Sequence, residues 1–124
     1  MKILFTLFMV LILSNNSDAQ YTVKSQKIFD FSSNEFYITY DNAAGYTSFK
    51  IPTSIRINND IKKIIIDNDR HNLVLDYYNT WAKDEAIYYE CTIDGEKVRA
   101  MLNTKDMNFA VFLSKGEKHL YKLQ

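Results

Sequence analysis

The amino-acid sequence predicts an all-β domain: one small antiparallel meander of about eight strands, curled into a strongly curved sheet or a small up-and-down barrel. Three observations carry this. Short apolar runs with a period of two recur along the chain. Clusters of Asn, Asp, Ser and Gly separate them. The composition is rich in strand-forming side chains, with nine Tyr and eight Phe against three Gly and one Pro, which excludes a low-complexity or disordered chain.

The clearest stretch runs from Ala86 to Leu123. Asp94-Gly95 between alternating apolar residues predicts a two-residue type I′ hairpin, because both central residues of that turn need φ > 0. Ile87, Tyr89, Cys91 and Ile93 then share one face, and Tyr88, Glu90 and Thr92 the other. Across the turn, Val98, Ala100 and Leu102 alternate with Lys97, Arg99, Met101 and Asn103. Glu90 and Arg99 are equidistant from the turn and should pair on the solvent side, with Cys91 opposite Val98 beneath. A one-residue slip would bury Arg99 beside Cys91, so the register is well specified. Asn103 to Asn108 predicts a second turn and Ser114-Lys115-Gly116-Glu117 a third. Phe109, Val111 and Leu113 fall on one face between them, with Ala110 and Phe112 on the other, and His119, Tyr121 and Leu123 end the chain.

Earlier in the chain, Gln20 to Phe31 alternates weakly and Glu35 to Tyr40 more clearly. Ser32-Ser33-Asn34 between them predicts a turn, hence a hairpin. Asp41 to Gly45 reads as a loop, Tyr46 to Ile51 as a short strand ended by Pro52, and Ser54 to Ile57 as another. Ile61 to Asp67 is dense in β-branched residues and short for a helix, so it is taken as a strand. Asn68 to Asn72 is a turn, Leu73, Leu75 and Tyr77 alternate with Val74, Asp76 and Tyr78, and Asn79 to Glu85 reads as a polar loop carrying Trp81.

The 124 residues suffice for one domain. Residues 1–19 predict a signal peptide, with Lys2, an apolar core from Ile3 to Leu13, and Ser17-Asp18-Ala19 before the cleavage point. Residues 20–124 then form the β domain, exported to the periplasm or secreted, with no integral membrane segment after cleavage. Fifteen basic and fifteen acidic residues give a net charge of zero, which argues against nucleic acid as a partner. A lone cysteine, Cys91, rules out an internal disulfide, so the domain relies on its apolar core.

No residue set in the sequence assembles a catalytic or metal-binding motif. Asp67-Asn68-Asp69-Arg70-His71 starts like a calcium loop, but Asn72 stands where such a loop needs Gly and Tyr78 where it needs Glu. Asx residues form turns unaided, so a polar turn is the simpler reading. Cys91 falls on the predicted inner face, where a thiol acts as a small hydrophobe, and neither His71 nor His119 lies near it in sequence. Asp84-Glu85 cannot share a substrate on a strand, since neighbours point to opposite faces. No cofactor is called for.

The tyrosines are the most suggestive feature. Tyr37 with Tyr40, Tyr77 with Tyr78, and Tyr88 with Tyr89 put tyrosine on both faces of three strands. Such side chains suit interfaces and amphipathic pockets, although strand packing alone enriches them too. Two functional readings follow. The first is a binding module for a small apolar or amphipathic ligand held between aromatic walls. The second is a protein-interaction or inhibitor-type domain that uses an exposed sheet face. The candidate binding residues are Tyr88, Glu90, Arg99, Met101 and Phe112, with Trp81. An enzyme is the least favoured reading.

Overall fold

The structure, a computed structural model, describes residues 27–42 and 44–124. The predicted signal peptide, its cleavage site, and the weak alternation before Lys27 lie outside the described residues. The strands are β1 (Ile28–Tyr40), β2 (Thr47–Phe49), β3 (Thr53–Asn58), β4 (Lys63–Asp67), β5 (Asn72–Lys83), β6 (Ala86–Ile93), β7 (Glu96–Asn103), β8 (Asn108–Phe112) and β9 (Glu117–Leu123). All pairings are antiparallel, and β9 returns to pair with β1. Strand β1 with β3 to β9 therefore closes an eight-stranded up-and-down barrel, and β2 is an additional short strand on β1. Closure removes the unpaired edges that an open meander would expose.

The hairpin between β6 and β7 has the expected chemistry. Asp94 and Gly95 both sit at positive φ, 50° and 84°. The register pairs Glu90 with Arg99 and Cys91 with Val98. Alternation then sorts the side chains. Ile87, Tyr89, Cys91, Val98, Ala100, Leu102, Phe109 and Val111 are buried in the core, while Tyr88, Glu90, Arg99, Met101 and Phe112 lie on the outer face.

Two predicted breaks are β-bulges. Ser32-Ser33-Asn34 does not turn the chain; β1 runs straight through it, with a register shift between Ser33 and Glu35. The buried Ser33 hydroxyl donates to the Glu35 carbonyl at 2.9 Å, supplying locally the polar contact that a turn would have needed. β2 and β3 form one interrupted strand on that edge of β1, pairing with Phe36–Ile38 and Ile28–Ser33 respectively. The gap between them contains Pro52, which has no N–H to give a ladder.

The second correction concerns Asn79 to Glu85. The predicted loop is strand as far as Lys83, with a bulge between Tyr77 and Asn79. That extra residue resets the alternation, so Asn79, Trp81 and Lys83 face outward and the chain turns only at Asp84 and Glu85.

The interior is built from aromatic and β-branched side chains. Phe36 stacks on Phe49 at 4.9 Å and lies 5.0 Å from Tyr121. Tyr77 meets Tyr89 edge-on at 5.2 Å and donates its hydroxyl to Asn59 at 2.6 Å. Ile55, Ile57, Ile64, Ile66 and Leu75 are fully buried on the β3–β5 side. An eight-stranded barrel has room for such a filling or for one small ligand.

Candidate functional site

Register alone brings the candidate residues together on the outer wall. Tyr88 pairs with Met101 and Glu90 with Arg99 across β6 and β7, and Arg99 pairs with Phe112 across β7 and β8. These five side chains, joined by Tyr78 and Lys97, line an open groove of about 520 Å³. Trp81 does not line it, but flanks it: its ring stacks on Tyr88 at 5.4 Å and 12°. Tyr88 is thereby held between a tryptophan face and the groove.

The polar groups of the groove are tied to one another. Glu90 accepts from Asn79 at 3.1 Å and faces the Arg99 guanidinium at 3.6 Å. Arg99 remains more than half exposed, so this pair stabilises the fold by no more than a few tenths of a kcal/mol. The Lys118 ammonium lies 5.3 Å from the centre of the Phe112 ring. Two aromatics stay open to solvent, Tyr78 at 53% and Phe112 at 37%. Tyr78 belongs to the tyrosine pairs read from the sequence but not to the candidate binding residues. It is the bulge residue of β5, and a bulge cannot be read from alternation.

A second constellation sits at the barrel mouth, and sequence spacing gave no sign of it. His71, in the β4–β5 turn, and His119, on β9, have ring centroids 5.5 Å apart. The Tyr121 hydroxyl lies 2.9 Å from His71 Nε2 and 3.3 Å from His119 Nδ1. Proton positions follow from the Asn68 amide. Its Oδ1 accepts from the Arg70 and His71 backbone N–H groups at 2.8 Å each, so its Nδ2 must be the group facing His71 Nε2. His71 Nε2 is then an acceptor, and Tyr121 donates to it. With its only hydrogen committed, Tyr121 can only accept from His119, which must carry a hydrogen on Nδ1. His119 Nε2 lies 2.5 Å from the Glu117 carboxylate.

Electrostatics agrees with a neutral His71. Burial lowers its pKa most, and His119 and Arg70 lower it further against a smaller opposing effect of Glu117. Burial likewise raises the Tyr121 pKa, so the phenol stays protonated. The cluster is a satisfied polar plug in an apolar barrel, with Phe36 packed edge-on against His71. Among the described residues, no group of three or more His, Cys, Asp or Glu side chains is placed to hold a metal ion.

Asn68 shapes an Asx turn where the sequence resembled a calcium loop. Cys91 is fully buried, and burial pushes its thiol up to about 12, which keeps it protonated and unreactive. Asp84 and Glu85 form the β5–β6 turn. No helix among the described residues is long and apolar enough to cross a membrane. Comparison of the chain with family models, curated proteins and solved structures finds no match.

Proposed function

We propose that this chain is a binding module that docks a protein partner on the outer wall formed by β5 to β8. The observation that carries the reading is the groove itself. Aromatic and thioether side chains from separate strands converge there, on the solvent side of a barrel. Tyr, Trp, Met and Arg are the residue types enriched at the centre of interfaces. The alternative, a small apolar ligand inside the barrel, would have to share the axis with Phe36, Phe109, Tyr89 and Tyr121, all essentially buried there. Those side chains favour the outer wall.

The test is site-directed cross-linking in cells that make the protein. A photoreactive phenylalanine analogue at Tyr88 should trap one discrete protein. The same analogue at Ile65, on the outer face of β4, should not. Equal trapping at both positions, or none at Tyr88, contradicts the proposal.

Export is part of the same reading and rests on the residues from Met1 to Ala19. Mass spectrometry of the protein outside the cytoplasm should show a chain beginning at Gln20. Full-length chain confined to the cytoplasm would remove the compartment, though not the groove.

A further inference from the structure

The groove is one part of a longer feature. Following the register across consecutive pairings gives one row of outward parity: Trp81 opposite Tyr88, Tyr88 opposite Met101, Met101 opposite Ala110, Ala110 opposite Leu120, and Leu120 opposite Tyr37, with the small Ala110 fully covered by its neighbours. Tyr46 extends it, packing edge-on against Tyr37 at 5.0 Å. A second notch of about 270 Å³, lined by Tyr37, Thr39, Tyr46, Lys118 and Leu120, lies at that end. No position in the row is charged. The row takes five of the eight strand-to-strand steps around the barrel, so it wraps more than half of the circumference.

Its borders differ from it in charge. One bordering row runs Asn79, Glu90, Arg99, Phe112, Lys118, Thr39, and the other Lys83, Ala86, Asn103, Asn108, Lys122, Glu35. Both carboxylates are engaged, Glu90 with Arg99 and Glu35 with Lys122, each at 3.6 Å. Lys83 and Lys118 have no carboxylate partner among the described residues, and neither does Lys97 at the groove edge. An apolar track with surplus cations along its sides therefore selects for an apolar occupant that carries negative charge.

Shape narrows the choice further. A straight helix touches a cylinder over a few strands only, whereas an extended segment can follow it round. Five steps of about 4.8 Å make about 24 Å, the reach of roughly seven extended residues. We propose that the partner presents an extended segment of apolar residues interspersed with Asp and Glu, laid across β5 to β9 and onto β1. This rests on the docking reading above and specifies the chemistry of what docks.

Trp81 is the only tryptophan in the chain, so its fluorescence reports on the row directly. The probes are a ten-residue peptide mixing Phe and Leu with Asp and Glu, its counterpart with Lys and Arg in place of the acids, the acidic peptide stapled as a helix, and vesicles of anionic lipid. The flexible acidic peptide should shift Trp81 emission, and the response should weaken as salt rises. The double variant Lys83→Glu/Lys118→Glu should weaken binding at least about tenfold, and Val74→Ala should leave it unchanged. Equal binding of acidic and basic peptides overturns the charge inference, and preferential binding of the stapled helix overturns the extended geometry. Response to vesicles but to no peptide assigns the row to a membrane surface instead. In each case, cross-linking from Tyr88 reports separately on whether a protein docks there at all.

Discussion

The two walls of this barrel share one interior and differ on the outside. Along β3 and β4 the outward positions are Ser54, Arg56, Asn58, Lys63, Ile65 and Asp67, polar or charged except Ile65, and the charges answer one another across strands. Arg56 makes a two-pronged contact with Asp30, and Lys63 binds Asp76. Along β6 to β9 the same outward parity carries Tyr88, Met101, Ala110 and Leu120. Alternation needs only one apolar face, so the first wall is what folding demands. Apolar side chains on the outer face of the second wall add nothing to the shared core. Their presence there is the best pointer to use.

The inner layer is common to both walls, so changes there should cost the most. Phe109→Ala should destabilise by about 3–5 kcal/mol in denaturant melts, since Phe109 is fully buried. A loss below about 1 kcal/mol would mean the interior is less tightly filled than its burial indicates. The outer rows should separate binding from stability. Tyr88→Ala or Trp81→Ala should weaken partner binding by about 2 kcal/mol or more and change stability far less. Ile65→Ala on the other wall should alter neither strongly. If Ile65 weakens binding as much as Tyr88, the contrast between the walls fails.

The mouth cluster makes stability depend on pH. His71 has a lowered pKa in the folded chain, so below about pH 6.5 the unfolded chain takes up a proton that the folded one resists. The stability it allows is fully present above that value and is lost as pH falls through the folded value. Wild type should therefore lose stability relative to His71→Gln as pH falls from 7 to 5. A constant difference would show that His71 does not titrate in this window. Smaller still, Cys91→Ala should cost about 1 kcal/mol, and a thiol reagent should label the native protein slowly.

How far the sequence discloses this arrangement depends on the range of the interactions involved. Asp94-Gly95 sets a local turn, and the turn sets the pairing of Glu90 with Arg99, so the groove residues could be grouped from sequence alone. The bulges at Ser33 and Tyr78 could not be found that way. Ser-Ser-Asn has the composition of a turn, and only the continuing partner strands show that the chain runs on. The polar composition of Asn79 to Glu85 accordingly predicts a loop around Trp81, although Trp81 stands on β5 against Tyr88. The His71–Tyr121–His119 cluster depends on closure of β9 onto β1, the longest-range pairing in the fold, for which no local pattern exists.

The difference between the walls can be measured in one experiment. Methyl NMR of methionine- and isoleucine-labelled protein, titrated with the partner trapped from Tyr88, observes Met101 on one wall and Ile65 on the other. The Met101 methyl signal should shift with saturation while that of Ile65 stays in place. A shift confined to Ile65, or none at Met101, would contradict a docking face on β5 to β8.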